Sequence, residues 1–257
     1  MTAGAPVHVA RAGPVARCVL DRPPLNLVTP ELIAALTEAF RALAADGEVR
    51  VVVLGARGRA FSAGMDLRVL ASLDPAGARA LITRLHEAIE AVHHAPVPVI
   101  AAIDGPCLGA ALELVLACDL RVATERATFG LPEVRVGVPS VIEAALLPGL
   151  VGPGRAAELL LTGAPIDART ALAWGLVNRV ADAAALDAAV DELVGGILAA
   201  APGAVRLQKA LMLRWRYSDL ATAIAAGVDA FAAAYATGEP AEGARAFLER
   251  RAPRFGG

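Results

Sequence analysis

Two apolar runs without alternating polar residues constrain the fold of this chain more than any other feature. They are residues 50–55 (RVVVLG) and 97–103 (VPVIAAI), and residues 120–123 (LRVA) form a third, shorter candidate. A strand with one face in water alternates apolar and polar side chains, so continuous runs predict strands that are covered on both faces. Helical stretches separate these strands, and this order predicts a parallel sheet built from βαβ crossovers.

Local signals place the elements around the first run. Residues 8–10 and 15–20 predict a hairpin joined by a Gly-Pro turn. Thr29 before a proline predicts the start of a helix over residues 30–45, and an Asp-Pro pair predicts the same for a helix over residues 74–94.

The second half of the chain has a different pattern. From residue 156 onward it predicts one helix after another, over residues 183–200, 202–217, 219–236 and 239–250. Because no tandem repeat, charge block or low-complexity linker separates the halves, we expect a single domain over residues 1–257. Within it, we expect an α/β core over about residues 1–160 and a helical subdomain for oligomerisation over about residues 161–257.

Composition excludes several classes of protein. Of the 257 residues, 56% are hydrophobic and 19% are charged, against about 25% charged in ordinary soluble domains, which predicts that apolar surface is hidden between subunits. The longest charge-free runs have 13 residues, fewer than the roughly 18 that a membrane span needs. The net charge of −2 with mixed signs along the chain gives no basic stripe for nucleic acid.

The termini and the cysteines indicate the compartment. The start MTAGAPVHVARAG lacks a basic segment followed by an apolar one, so we expect no secretory signal and a cytoplasmic protein. Three cysteines without a C-x-x-C pair argue against disulfides and against a zinc site. We therefore expect buried thiols and no metal site.

One carboxylate stands out. Residues 109–118 (GAALELVLAC) have no polar face, which predicts a helix buried on all sides with Glu113 inside it. A buried carboxylate without a partner becomes protonated or loses several kcal/mol, so such residues are often functional. The alternative is a structural Glu113 that is satisfied by an arginine or a backbone amide.

Two glycine-containing loops follow the two long strands. They are residues 57–67 (RGRAFSAGMDL) and 107–111 (CLGAA), and the second leads directly into the buried helix. Free N–H groups at a helix start can bind an anion, and two amides aimed at one point would form an oxyanion hole. The alternative is that these glycines serve only the turns.

Three ordered motifs carry a resemblance to a known family. They are FSAGMDL, PVIAAIDGPCLGAALELVLACDLRVA and ATFGLPEVRVGVPS, supported by DRPPLNLVTPELIAAL near the start and FLERRAPRF near the end. Together they resemble the crotonase superfamily of enoyl-CoA hydratases and isomerases. The resemblance implies a crotonase-like (ClpP/crotonase) α/β superhelix of βαβ units with a helical C-terminal region, assembled as a homotrimer or a hexamer.

The resemblance also implies a reaction, the hydration of a 2-enoyl-CoA, with no cofactor because coenzyme A is part of the substrate. Glu113 would hold and activate the water that adds to C3, and Glu133 would exchange the proton at C2. The backbone amides of Met65 and Ala110 would stabilise the enolate oxygen of the thioester.

Further contacts follow from the same resemblance. Those expected to bind coenzyme A are Ala63, Asp66, Leu67, Arg68, Lys209 and Arg251. Those expected to line the acyl pocket are Ser140, Ile142 and Glu143, in a segment (SVIEA) that departs from the glycine-rich stretch common in the family. Glu143 could pair with an arginine, read a polar acyl group, or form a salt bridge at a helix start.

Several rivals remain. A Δ3,Δ2-enoyl-CoA isomerase needs one acid/base, and another crotonase-type lyase or hydrolase would share the oxyanion hole. A non-catalytic acyl-CoA-binding protein is a rival outside enzymes. The four histidines have no metal or triad spacing, and Ser62 is not in a G-x-S-x-G motif.

Overall fold

The computed structural model describes residues 4–255. Its strands are β1 (Val7–Ala12), β2 (Val15–Leu20), β3 (Val51–Ala56), β4 (Val99–Ile103), β5 (Pro106–Leu108), β6 (Leu120–Thr124), β7 (Thr128–Gly130), β8 (Ile166–Asp167) and β9 (Arg179–Ala181). Its α-helices are α1 (Pro30–Ala45), α2 (Leu67–Leu70), α3 (Pro75–His93), α4 (Ala110–Leu116), α5 (Leu147–Val151), α6 (Pro153–Thr162), α7 (Ala168–Ala173), α8 (Leu186–Ala199), α9 (Pro202–Arg216), α10 (Leu220–Ala234) and α11 (Glu239–Leu248). Short 3-10 helices cover Pro132–Val136, Glu143–Leu146, Ala183–Ala185 and Tyr235–Thr237.

The strands form two sheets. The larger has six strands in the order β1-β2-β3-β4-β6-β9, and the smaller has three in the order β5-β7-β8. Among the described strands of the larger sheet, the β1–β2 hairpin is the one antiparallel pair, and the pairs from β2 to β9 are parallel. The predicted hairpin and parallel sheet are confirmed.

Both faces of the central strands are covered, as their continuous apolar sequence predicts. All five residues of β4 are buried. The main core lies on one face of the sheet. On the other face, Val53 and Ile100 belong to a second cluster that includes Val190 and Val194 of α8.

The two long helices begin where their capping residues predict. The N–H of Leu32 donates to Thr29 Oγ1 at 3.4 Å, and the N–H of Gly77 donates to Asp74 Oδ1 at 2.7 Å. Each helix has proline at its start. Their buried residues face the main core, and α3 later forms a wall of the candidate site.

The expectation that the chain is all-helical after about residue 160 is wrong. Strand β9 pairs in parallel with β6 at the edge of the large sheet, β8 pairs with β7, and α8 packs on the sheet. These strands have two or three residues each, too short for a run or an alternation to identify them. The part of the chain that leaves the sheet therefore begins at α9, later than the expected boundary.

Helix α10 exposes an apolar stripe. Its large exposed side chains follow helical spacing: Leu220, Ile224, Val228 and Phe231, continued by Tyr235 after the helix. The 18-residue stretch Leu220–Thr237, of mean hydropathy 1.4, is long and apolar enough to cross a bilayer by those two criteria, and 11% of it is buried. Two consecutive helical segments, Ala183–Ala199 and Pro202–Arg216, meet at a bend of 108°. They satisfy the same criteria only if both are taken together as one span.

Candidate active site

In the loop after β3, the backbone amide of Met65 lies where the second loop approaches. The N–H of Val28 donates to Gly64 O at 2.9 Å, and the N–H of Asp66 donates to Val28 O at 3.0 Å. The N–H of Gly64 donates to Ser62 Oγ at 3.1 Å. Between them, Met65 forms a parallel bridge with Val28, which turns the Met65 N–H away from that partner. Within residues 4–255 it has no hydrogen-bond acceptor.

The start of α4 leaves a second amide free. The N–H of Gly109 donates to Gly130 O at 2.9 Å, and the N–H groups of Leu112 and Glu113 donate to Gly109 O at 2.7 and 3.1 Å. Among the described residues no acceptor takes the N–H of Ala110, the first residue of the helix. Helix starts carry such unpaired donors together with partial positive charge.

Two glycines bring these amides together. Gly64 has φ +88° and Gly109 has φ +57°, both in the region that favours glycine. A Cβ on Gly64 would lie 2.8 Å from Leu108 O, and a Cβ on Gly109 would lie 2.6 Å from Glu133 Oε1. The two loops therefore touch at their glycines, and the residue that follows each glycine carries a free amide.

Glu113 is buried, as the apolar helix predicts. It is 3% exposed, and its Oε1 accepts a hydrogen bond of 3.3 Å from the N–H of Val141. Its Oε2 is buried and has no partner among the described residues. Burial, reinforced by the carboxylates of Glu133 and Glu143, raises the pKa of Glu113 to about 8.

Glu133 faces the same space from the 3-10 helix Pro132–Val136. Its Oε2 accepts a hydrogen bond of 2.8 Å from Ser140 Oγ, and its Oε1 points toward Gly109. Consecutive residues, Ser140 and Val141, therefore hold one oxygen each of Glu133 and Glu113. The arrangement provides two carboxyl groups and two free amides around one volume.

Two cavities meet at this point. The first, of about 520 Å³, is lined by Met65, Leu70, Leu73, Pro75, Ala78, Arg79, Leu81, Ile82, Leu85, Ala110, Glu113, Glu133, Val138, Pro139, Ser140, Val141 and Ile142. The second, of about 370 Å³, is lined by Leu27, Ala63, Gly64, Met65, Asp66, Leu67, Leu70, Gly109, Pro132, Glu133, Arg135 and Val136. Met65, Leu70 and Glu133 belong to both. Each volume falls within the range of small-molecule sites, about 300–1,000 Å³.

Three residues expected to contact coenzyme A, namely Ala63, Asp66 and Leu67, line the second cavity. Arg68 lies beside it with its side chain 85% exposed. Its Nε and Nη2 donate to the two carboxylate oxygens of Asp66 at 3.1 and 2.8 Å. These hydrogen bonds hold the pKa of Asp66 below its usual range.

Lys209 is not brought to the site. It is 4% exposed, and its Nζ donates to Asp119 Oδ2 at 2.7 Å and to Val97 O at 2.9 Å. Asp119 follows the C-terminal end of α4, opposite the end that carries the free amide. The expectation that Lys209 meets a phosphate of coenzyme A is therefore wrong for this chain, because a buried ion pair occupies its ammonium.

Arg251 lies at the C-terminal end of the described chain, outside both cavities. It is paired with Glu242 at 2.7 Å and with Glu249 at 2.6 Å. Its contact with coenzyme A stays a prediction.

Of the residues expected in the acyl pocket, Ser140 and Ile142 line the first cavity, whereas Glu143 does not. Glu143 is 8% exposed, and its Oε1 lies 2.7 Å from His86 Nδ1. Its partner is thus neither an arginine nor an acyl group but a histidine of α3, and because Glu143 opens the 3-10 helix Glu143–Leu146, the expected pairing at a helix start is the reading that the structure fits. Sequence reasoning had assigned His86 no role.

Sequence reasoning also missed two arginines. Arg79 lines the first cavity from α3, and Arg135 lines the second while its Nε donates to Thr162 O at 2.9 Å. Arg79 lies one helical turn from Ile82 of the same cavity wall, but no sequence pattern showed which face of α3 lines a cavity. Within residues 4–255, no group of three or more His, Cys, Asp or Glu side chains could hold a metal ion.

Comparison with known proteins gives consistent results. A family model described as enoyl-CoA hydratase/isomerase matches residues 11–257. The crotonyl-CoA hydratase of Syntrophomonas wolfei is 36% identical over 92% of each chain, and the short-chain-enoyl-CoA hydratase of Clostridium acetobutylicum is 32% identical over 95% of each. The crystal structure of an enoyl-CoA hydratase from Mycobacterium smegmatis superposes with a TM-score of 0.94 at 35% identity, covering 97% of this chain and 98% of that one.

Proposed function

The chain belongs to the enoyl-CoA hydratase/isomerase family and has the crotonase fold, and on that premise we propose that it adds water across the C2=C3 bond of a 2-enoyl-CoA thioester. One observation carries the proposal: two carboxyl groups and two unpaired amides converge where two cavities meet. Hydration needs those four groups in one place, one pair for the proton and the water and the other for the oxygen of the thioester.

In the proposed reaction the amides of Met65 and Ala110 bind the thioester oxygen. Polarising this carbonyl makes C3 electrophilic, and negative charge develops on the oxygen as water adds. Donors that are fixed before the reaction stabilise that charge without reorganisation, which is worth about 10²–10³ in rate for one donor. Because both donors are held by their neighbours' hydrogen bonds, they are already oriented.

The two carboxyl groups move the protons. As the water oxygen bonds to C3, Glu113 takes a proton from that water and Glu133 delivers one to C2. The two carboxyls together hold one proton before the step and one after it, so the net change is the addition of one water. Neighbouring carboxyls in a buried site favour such a singly protonated state.

The cavities support an orientation for the substrate. The first has mostly apolar walls, supplied by α3 and by residues 138–142, which suits an acyl chain. The second passes Ala63, Asp66 and Leu67, which suits the pantetheine arm of coenzyme A. We propose apolar 2-enoyl thioesters as the substrate class, with no cofactor beyond the coenzyme A that the substrate carries.

An isomerase acting on 3-enoyl-CoA is the principal rival, because it shares the oxyanion hole and the family description covers both reactions. Isomerisation needs one acid/base, whereas hydration needs a second carboxylate for the water. The presence of Glu113 beside Glu133, each held by a separate hydrogen bond, favours hydration.

A panel of thioesters tests the proposal. Purified protein is supplied with 2-enoyl-CoA substrates of increasing chain length, and loss of the ultraviolet absorbance of the conjugated thioester measures hydration. A gain of that absorbance from 3-enoyl-CoA would instead assign isomerisation. Binding of acyl-CoA without turnover of either series would leave a non-catalytic binding protein.

We also propose that the chain is cytoplasmic and assembles as a homotrimer or a dimer of trimers, in line with its family. The apolar stripe of α10, from Leu220 to Phe231, supports a contact with another subunit because such patches are uncommon on monomers. Light scattering or sedimentation should give a multiple of three subunits. A stable monomer at micromolar concentration would contradict this.

A further inference from the structure

Three consecutive residues contact the candidate site, and the fourth attaches them to α3. Ser140 Oγ donates to Glu133 Oε2, the N–H of Val141 donates to Glu113 Oε1, and Ile142 lines the acyl cavity. Glu143 then pairs with His86. We call residues 140–143 the strap, because this single segment touches both carboxylates and the acyl cavity.

The last residue of the strap ties it to α3. His86 Nδ1 lies 2.7 Å from Glu143 Oε1, and the histidine side chain is 47% exposed whereas that of Glu143 is 9% exposed. Helix α3 also supplies Ile82 and Leu85 to the wall of the acyl cavity, within one turn of His86. The contact between His86 and Glu143 therefore links the helix that lines the acyl cavity to the segment that holds the carboxylates.

Glu143 also leaves a carboxylate oxygen without a partner. Its Oε2 is buried and unpaired within the described residues, as is Oε2 of Glu113. An unpaired buried carboxylate oxygen is costly, so a sequence that served packing alone would favour an apolar side chain here. The burial of a third carboxylate beside Glu113 calls for a function of its charge.

We propose that Glu143, held by His86, is a positioning residue of the hydration reaction: it fixes the strap on α3 and keeps an additional negative charge beside Glu113. The inference rests on the proposed function. Glu143 does not touch the cavity, so it acts through the groups that do. Its charge opposes ionisation of Glu113, and its tie to His86 keeps Ser140 and Val141 at their acceptors.

The charged and titratable groups around this pair define the electrostatics. Burial raises the pKa of Glu113 most, the carboxylates of Glu133 and Glu143 raise it further, and the backbone N–H groups of Val141 and Glu143 oppose the rise. Glu143 is faced by His86 and Glu90 of α3; burial raises the pKa of Glu143, and the hydrogen bond from His86 opposes that rise. Removing the charge of Glu143 should therefore make Glu113 easier to ionise.

Two substitutions separate the negative charge of Glu143 from its hydrogen bond with His86, which we call the tie. Glu143→Gln removes the charge but can still accept from His86, so the ionisation midpoint of Glu113 should fall by roughly half to one pH unit with kcat at its plateau kept within about threefold. Glu143→Leu also removes the tie, so we expect the same fall together with a loss of kcat of roughly tenfold, because misplaced catalytic groups cost rate.

The direct readout is an infrared titration of the protonated carboxyl band, assigned to Glu113 by its loss in Glu113→Gln. The pH profile of kcat/KM gives the same midpoint through turnover. Glu87→Gln is the matched control: it makes the same change of charge on α3, one residue from His86, but on the face that borders the groove with α1. It should move neither measurement.

An unchanged midpoint in Glu143→Gln, or an equal shift in Glu87→Gln, would overturn the inference. Unchanged kcat in a folded Glu143→Leu would overturn the role of the tie, and if that variant does not fold, Glu143→Gln still decides the role of the charge. Should the wild type hydrate no 2-enoyl-CoA, the proposed function fails, while the infrared titration still tests the link between Glu143 and Glu113.

Discussion

The two ends of helix α4 are built in opposite ways. At its C-terminal end, the buried guanidinium of Arg121 donates to Val115 O at 3.1 Å, Cys118 O at 2.7 Å and Leu176 O at 2.6 Å. At its N-terminal end, the N–H of Ala110 has no acceptor among the described residues. We call the end of this seven-residue helix where Arg121 donates to buried carbonyls the saturated end. The end with the unpaired N–H of Ala110 is the open end.

Under the proposed function, this difference assigns folding stability to one end of α4 and catalysis to the other. Helix ends normally need partners for their unpaired groups, and the C-terminal end of α4 has them from a side chain. An open N-terminal end beside a cavity keeps its donor available for a substrate. Changes at the open end should therefore alter catalysis, and changes at the saturated end should alter folding.

The largest effect is expected for the carboxylates at the open end. Glu113→Gln in the first turn of α4, and Glu133→Gln opposite it, should each lower hydration by about 10²–10⁴-fold, because each removes a general acid or base. Steady-state kinetics with a 2-enoyl-CoA, together with acyl-CoA binding by calorimetry as a control for the site, measure this. Wild-type hydration by either variant would contradict the two-carboxylate mechanism, and isomerisation that survives Glu113→Gln would favour the isomerase.

Ala110→Pro deletes the free N–H itself. Proline is tolerated at the first position of a helix, and no hydrogen bond of the described chain is lost, so the protein should fold. Hydration should fall by about 10²–10³. Circular dichroism and light scattering verify the fold and assembly, and full activity in a folded variant would show that this amide is not a donor.

Arg121→Met tests the saturated end. It leaves three buried carbonyls without their donor, which should lower the free energy of unfolding by about 2–4 kcal/mol. The fraction that remains folded should keep most of its kcat. Denaturant unfolding and kinetics on the same samples distinguish a loss of stability from a loss of catalysis. A fall in kcat larger than the fall in the folded fraction would contradict the contrast between the ends.

The pH profile of kcat/KM should report the ionisation of Glu113, which lies at the open end of α4. The proposed role of Glu113 requires its ionised form, and its pKa is raised to about 8. The value of kcat/KM should therefore rise about tenfold per pH unit below that value, and it should fall again where the carboxyl pair loses its remaining proton, because the proposed step uses one proton held between the two groups. A flat profile between pH 6 and about 8 would exclude Glu113 as the base.

The smallest effect is expected for Met65→Leu. The substitution keeps the backbone donor and nearly conserves side-chain volume, so hydration should stay within about threefold of the wild type. Met65 lines both cavities, so a chain-length series of substrates also shows whether its side chain affects selectivity. A loss of the size expected for Ala110→Pro would show that the thioether contributes to the chemistry.

The sequence predicts those parts of the molecule that local patterns determine. The continuous runs identify β3 and β4, the Thr29 and Asp74 caps locate two helix starts, and all-round apolarity predicts the burial of Glu113. In each case the physical cause lies within a few residues of its effect.

The parts that sequence reasoning missed depend on distant partners. His86 meets Glu143 across 57 positions, and Lys209 meets Asp119 across 90, so no local spacing could pair them. Strand β9 owes its pairing to the exposed edge of β6 rather than to a pattern of its own. The candidate site residues were predicted from a resemblance, whereas the contacts that hold them require the folded chain.

Main-chain donors have a consequence for how such a site can diversify. Because the two free N–H groups belong to the backbone, nearly any amino acid except proline supplies them at positions 65 and 110. The positions that restrict the choice of amino acid are instead Gly64 and Gly109, because a Cβ there would collide with Leu108 O or with Glu133. In the proposed mechanism, changes of the side chains at positions 65 and 110 can therefore alter substrate preference while the two backbone donors stay the same.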